Sequence, residues 1–177
     1  MNATLNNQTA EQTLGNAASP SEVAPAIFTE QDIRSAYAKT RTGADFPRLI
    51  LDLKKLGIVS YDHMLASGSN VFHGKNGQSV SLSKMGPSIP VNDNADVELL
   101  KKHISEHQRG LTDYPALCGL AGQAGVDQWT CDLLAMTCTY FDRVGRKLHV
   151  ELIPTGDYEK KQLELDCEGK NEYDHHQ

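Results

Sequence analysis

Two cysteines near the end of the central region are the first residues whose spacing suggests chemistry. Cys131 and Cys138 face each other if the segment between them, Leu133–Met136, closes a tight hairpin. Opposed strand residues bring their Cβ atoms to about 4.5–5.5 Å, close to the distance that a disulfide needs. The pair could therefore act as a redox pair or as half of a metal site. The competing interpretation is two small buried apolar residues, since the sequence has neither a Cys-x-x-Cys motif nor an adjacent histidine.

Aromatic and polar residues flank these cysteines in the sequence, and similar residues occur in an earlier segment. Two acids can divide acid and base roles when burial separates their pKa values, and a histidine in a cleft can transfer protons. The alternative interpretations are turn chemistry for an aspartate at a strand end, and core packing for the aromatic and histidine side chains. The candidate ligand-binding residues are Tyr61, His73, Trp129, Asp132, Cys138 and Tyr140.

Two further histidines lie four residues apart, in a segment with helical periodicity. His103 and His107 can therefore point the same way and could bind a metal. The segment lacks the acid of a His-Glu-x-x-His motif, which favours an exposed polar helix face instead. We accordingly predict no metal site and no cofactor.

The distribution of charge argues against nucleic acid as a partner. The net charge is −6, yet residues 28–154 hold 14 acids and 14 bases, and the acidic excess lies in the flanking segments. A neutral centre is a poor electrostatic footprint for DNA or RNA. No apolar run approaches the ~20 residues of a membrane span, and the N-terminus lacks the basic and apolar regions of a secretory signal. We predict a cytoplasmic protein that binds neither nucleic acid nor membrane, with its four cysteines as thiols.

Composition divides the chain into three parts. Residues 1–27 are rich in Asn, Thr, Ala, Ser and Gln, without periodicity, and predict a disordered leader. Residues 28–154 predict a single α+β domain. Residues 155–177 carry seven acids and three lysines and predict an acidic, mostly mobile tail.

Several helix starts are marked by capping residues. Thr29 and Asp32 are spaced as a capping box for the first helix. Asp45 precedes Phe46-Pro47 and is predicted to cap the second helix, whose first turn tolerates proline. Asp93 or Asn94 is predicted to cap a third helix over 95–109.

A pattern in the first half of the domain returns in the second half at one constant offset. Asp45-Phe46-Pro47 reappears as Asp113-Tyr114-Pro115, and several glycines and aromatic residues recur at the same spacing. We infer an internal duplication with half-repeats 28–84 and 92–154, each helix-helix-strand-strand-strand. The expected product is an antiparallel sheet of about six strands with the helices on one face. The recurring pairs are Gly57 and Gly125, Tyr61 and Trp129, Phe72 and Tyr140, and Gly77 and Gly145.

These motifs resemble the YdfO/YbcV-like family, a bacterial and prophage-borne family of unknown function (DUF1398). The resemblance covers roughly residues 28–154. It implies a small cytoplasmic α+β domain in a prophage-related setting, and it brings no established activity or catalytic residue. The segments that carry it are Phe28-Thr29, Gly43–Pro47, Phe72–Gly74, Asp113–Pro115, Ala124–Val126, Trp129, Asp132 and Met136–Tyr140.

The leading functional hypothesis is a binding or interaction module that recognises a protein or a small ligand at the seam between its halves. A second hypothesis is an enzyme of unknown reaction with a polar site near Asp132, Cys138 and Tyr140, because Asp132 corresponds to Met64 in the first half. A third, a prophage-derived modulator of a host protein, rests on the resemblance alone. Homodimerisation is left open.

Overall fold

The computed structural model describes residues 25–154 and residue 156. The predicted leader lies outside the described residues except for 25–27, and the predicted tail except for residue 156. No helix within the described ranges is long and apolar enough to cross a membrane. The helices are α1 (Glu30–Ala38), α2 (Phe46–Lys55), α3 (Val97–Gln108) and α4 (Tyr114–Gln123). The strands are β1 (Ile58–Met64), β2 (Ser69–Gly74), β3 (Ser79–Leu82), β4 (Gln128–Asp132), β5 (Thr137–Phe141) and β6 (Lys147–Leu152).

The six strands form one sheet in the order β3-β2-β1-β4-β5-β6, and every neighbouring pair is antiparallel. Burial alternates along β2 and β5, as expected for strands with one face against a core. The buried positions pack with the apolar faces of the helices into one hydrophobic cluster. The predicted α+β class and six-stranded antiparallel sheet are confirmed.

The two halves meet where β1 pairs with β4, and this pairing is symmetric. Asp62 lies opposite Thr130, and the ladder extends by equal steps on either side. The hairpin pair Tyr61 and Phe72 is matched in the second half by Trp129 and Tyr140. Helices α2 and α4 begin and end at positions related by the same constant offset. The two halves therefore share connectivity and register, while their common origin by duplication stays a prediction.

The pairing of β5 with β6 differs by one position from the pairing of β2 with β3, because of a register shift between Tyr140 and Phe141. Cys138 pairs with Glu151 across β5 and β6, whereas Asn70 pairs with Leu82 across β2 and β3. Asn70 and Cys138 correspond at the constant offset, but the offset carries Leu82 to Val150, the position before Glu151. Consequently Glu151 occupies the inward position that Leu82 holds in the first half.

The first helix begins as predicted, but the caps of the next two differ. Thr29 and Asp32 exchange the two bonds of a capping box. Asp45 instead accepts from the backbone N–H groups of residues 41 and 42. Its own backbone is already helical, and a capping side chain needs an extended residue. Helix α3 is capped by Asp96, whose carboxylate accepts from the N–H of Leu99, so the prediction of Asp93 or Asn94 is wrong.

Glycine closes the helix that precedes each central strand. Gly57 follows α2 with φ +93°, and Gly125 follows α4 with φ +86°, the left-handed conformation common after a helix C-terminus. Gly125 also lies against the segment before α3. A Cβ at this position would come within 2.6 Å of the Cα of Ala95 and 2.8 Å of the carbonyl oxygen of Asn94.

Gly125→Ala should therefore destabilise the domain more than Gly145→Ala. Both residues have positive φ, so each alanine costs about 1–2 kcal/mol in conformation. Only Gly125 adds a backbone collision, since a Cβ at Gly145 would meet nothing within 4 Å. Urea unfolding of the two variants measures the difference, and equal losses would contradict the close approach at Gly125.

Candidate functional site

Two adjoining cavities lie where the halves meet, beneath the helices and against the sheet. The smaller has a volume of about 40 Å³ and the larger about 180 Å³. They share four lining residues, two from each half, and we refer to them together as the seam cavity. A buried water needs about 10–15 Å³ in comparable measure, so the space suits a small molecule. The shared residues are Phe46, Tyr61, His107 and Tyr114.

Aromatic side chains form much of the wall of the smaller cavity. Trp129 and Tyr140 are opposed across β4 and β5, with ring centroids 5.7 Å apart and planes inclined by 55°. Tyr114 meets Trp129 edge-on at 6.2 Å and 83°. Strand periodicity turns both sheet residues towards the helices. Asp113 caps α4 through the N–H of Ala116, which fixes Tyr114 at the first position of that helix.

One end of the smaller cavity is polar. The carboxylate of Glu151 accepts hydrogen bonds from the Tyr140 hydroxyl at 2.6 Å and from the Gln108 side-chain amide. Glu151 is only 8% exposed, and burial raises its pKa. Burial, together with the nearby Glu151, raises the pKa of Tyr140 well above its usual value.

Sequence reasoning missed Glu151 and Gln108. The strand pattern conceals Glu151, because Leu148, Val150 and Leu152 alternate with it and predict that Glu151 faces solvent. In the structure Glu151 pairs with the inward-facing Cys138 instead. Gln108 ends α3 and carries no sequence signal either. Its role depends on how α3 crosses β6, which local sequence does not encode.

A buried histidine packs against the tryptophan of the cavity wall. His63 is fully buried and stacks on Trp129 with ring centroids 4.5 Å apart. Its Nδ1 lies 2.5 Å from the side-chain oxygen of Asn70 and 3.2 Å from the hydroxyl of Tyr114. Burial lowers the pKa of His63. His63 is therefore a core residue whose Nδ1 has hydrogen-bond partners and whose ring packs against Trp129.

Four of the six candidate residues converge on the seam cavity. Asp132 does not, because its carboxylate accepts from the N–H groups of Leu134 and Ala135, both at 2.9 Å, and so closes the hairpin turn. His73 lies on the other face of the sheet, where its Nε2 is 3.0 Å from Asp62. The structure does not bring these two side chains together with the aromatic residues, since side chains of alternate parity face opposite sides of a sheet. Their roles in ligand binding stay predictions. The four that converge are Tyr61, Trp129, Cys138 and Tyr140.

Cys131 and Cys138 form a disulfide, with Cα atoms 4.2 Å apart. The predicted hairpin register is therefore confirmed, and the expectation of four thiols is wrong because the two side chains oppose each other directly. Cys118 is a buried thiol, and burial raises its pKa to about 12. Disulfides are rare in the cytosol, so this bond does not support the predicted cytoplasmic location.

The histidines of α3 are buried, which contradicts the predicted exposed face. His103 and His107 are 8% and 9% exposed, because α3 packs against α4, β6 and the short 3-10 helix at Gly43–Asp45. The His107 ring bonds to the hydroxyl of Thr112 at 2.9 Å. With Glu106 the segment reads His-x-x-Glu-His, a spacing known from one class of zinc peptidases. Within residues 25–154, however, no three potential ligands are arranged to hold a metal.

Glu151→Gln should stabilise the domain increasingly as the pH rises. The folded state holds the Glu151 proton more tightly than the unfolded state, whose pKa is near 4.5. Wild-type stability therefore falls as pH rises from that value through the raised pKa, and glutamine removes this loss. Melting temperatures at pH 5, 6.5 and 8 measure the trend. Glu98→Gln, at an exposed position of α3, is the control; a constant offset for Glu151→Gln would contradict the buried acid.

Thiol trapping should detect the disulfide directly. N-ethylmaleimide is added at lysis and kept present while the protein is denatured. Cys118, a buried thiol, should then carry this label. Cys131 and Cys138 should accept a second alkylating reagent only after reduction. Peptide mass spectrometry reads both labels, and maleimide on Cys138 without prior reduction would show that the bond is absent in the cell.

The domain with this cavity can be compared with known proteins. No curated protein matches the chain. A family model described as "Protein of unknown function (DUF1398)" matches residues 34–152, from within α1 to the last residue of β6. The match covers most of the chain and every element that lines the seam cavity. The chain therefore belongs to the DUF1398 family.

Proposed function

We propose that this protein is a binding module that takes a small ligand into the seam cavity. The observation that carries the proposal is a cavity between the two halves with aromatic walls and a polar end. Ligand sites in proteins are typically concave, mostly apolar and equipped with a few oriented polar groups. Tyr140, Glu151 and Gln108 form such a polar group beside the aromatic residues.

The volume of the larger cavity suits a small organic molecule. At about 180 Å³, it exceeds the engineered apolar cavities of about 150 Å³ that bind small aromatic molecules. A ligand of that size would gain dispersion contacts with the side chains that line the seam.

The lining comes from both halves, which supports the seam as the site. Phe46 and Leu49 approach from the first half, and Leu117 and Ile104 approach from the second. A molecule held between them would contact both halves at once. Binding should therefore stabilise the pairing of the halves as well as each half alone.

The enzyme hypothesis has less support. Of the three residues named for it, Asp132 closes a turn, and Cys138 is held in a disulfide. Tyr140 is the one residue of these three that borders the cavity and is not held in a turn or a disulfide. A protein partner and a prophage-derived modulator stay hypotheses, the latter resting on the family resemblance.

Trp129 should report ligand binding by fluorescence. It is the single tryptophan of the chain and lines the smaller cavity, so an occupant changes its surroundings. Small neutral and charged fragments that do not absorb at the excitation wavelength are titrated into the protein. Saturable changes in Trp129 emission are expected for some of them.

Leu117→Phe provides the test of location, because the larger side chain narrows the cavity. It should weaken binding at least tenfold, and Leu49→Phe provides an independent obstruction from the other half. Leu134→Phe is the matched control at a position that is 68% exposed. Alanine at Trp129 is less suitable, since truncating a buried aromatic costs about 3–5 kcal/mol in stability. No saturable change with any fragment, or unaltered binding in both folded phenylalanine variants, would refute the proposal.

A further inference from the structure

We infer that the ligand of the seam cavity is a small organic cation, with its ammonium group between the aromatic walls and the carboxylate of Glu151. This inference rests on the proposed function and adds the chemical class of the ligand. It depends on three features of the smaller cavity: its aromatic lining, its charge and the pairing of Glu151.

The lining is of the kind that attracts a cation. Five aromatic side chains border the smaller cavity, and the rings of Tyr114, Trp129 and Tyr140 are inclined to one another instead of forming a parallel stack. A cation within about 6 Å of such ring faces is attracted by their quadrupoles, most strongly by tryptophan. Groups of aromatic residues set at angles recognise quaternary ammonium and methylated amine groups in this way.

The charge of the lining favours the same class. Glu151 is the one acidic residue that borders the smaller cavity among the described residues, and neither lysine nor arginine borders it. His107 is the one basic side chain at this cavity among the described residues. Burial lowers its pKa, which keeps the ring neutral at pH 7. Arg41 borders only the larger cavity. The cationic group therefore belongs at the Glu151 end, with the uncharged part of the ligand extending into the larger cavity.

The pairing of Glu151 adds an independent reason. Its hydrogen-bond donors, Tyr140 and Gln108, are both neutral, and no lysine, arginine or histidine within 25–154 forms an ion pair with it. A buried carboxylate without a cation is costly. A bound ammonium group would supply the missing charge and would favour the ionised form of Glu151.

Choline and 3,3-dimethylbutan-1-ol provide the sharpest test, because they share one shape and differ only in the charged nitrogen. Trp129 fluorescence and calorimetry at pH 7.5 measure both affinities, with tetramethylammonium as a smaller cation. Wild-type protein should bind choline at least tenfold more tightly than the neutral alcohol. Glu151→Gln should weaken choline binding at least tenfold and alter binding of the alcohol less than twofold. Glu98→Gln removes a negative charge elsewhere and should change neither.

The contrary outcomes separate the two proposals. Equal affinity for both probes, or unchanged choline binding in Glu151→Gln, overturns the cation while the cavity remains a binding site. The cation is also overturned if neither cation binds but uncharged fragments still quench Trp129 and are blocked by Leu117→Phe. If no cation, alcohol or fragment binds, the proposed function fails as well.

Discussion

The antiparallel pairing of β1 with β4 is the constraint on which the rest of this structure depends. Among the described strands, all other pairings lie within one half, so this pairing joins the two halves into one sheet. A 2.6 Å hydrogen bond from the Thr130 hydroxyl to Asp62 lies at its centre. A slip of one residue would turn every side chain of one half to the wrong face. The register thus determines that Tyr61 and Trp129 both face the helices. Without it, no cavity between the halves would exist.

The cavity follows from how the helices cover this sheet. Helices α2 and α4 lie at equivalent places in the two halves, and each begins with an aromatic residue, Phe46 or Tyr114. The cavity lies between these two rings of the helices and the aromatic rings of the sheet, and both halves contribute to its lining. The polar end belongs to the second half only. A bulge within β6, between the pairs Phe141–Lys147 and Tyr140–His149, shifts the register by one residue and brings Glu151 to the position of Leu82. A symmetric scaffold therefore carries an asymmetric site.

Much of the fold could be predicted from local patterns. The constant spacing of the repeated pattern indicated the element order, and the position of Cys131 and Cys138 indicated the register of their hairpin. The candidate site was predicted only in part. Tyr61, Trp129 and Tyr140 face the cavity because strand periodicity is a local property, whereas Gln108 and His107 depend on how α3 packs. Asp132 and His73 lie away from the cavity, which the sequence did not indicate, because proximity in sequence, or in the repeat, does not distinguish the two faces of a sheet.

The shared register also places two different cross-strand links at equivalent positions of the two hairpins. His63 and Asn70 occupy in the first hairpin the places that Cys131 and Cys138 occupy in the second. One hairpin is held at this point by a hydrogen bond and the other by a covalent bond. A hydrogen bond opens and reforms with each local fluctuation, while a disulfide persists through such openings. The two hairpins therefore differ in their resistance to local opening. The hairpin of β1 and β2 can open at this point, whereas the disulfide keeps β4 and β5 joined while it does.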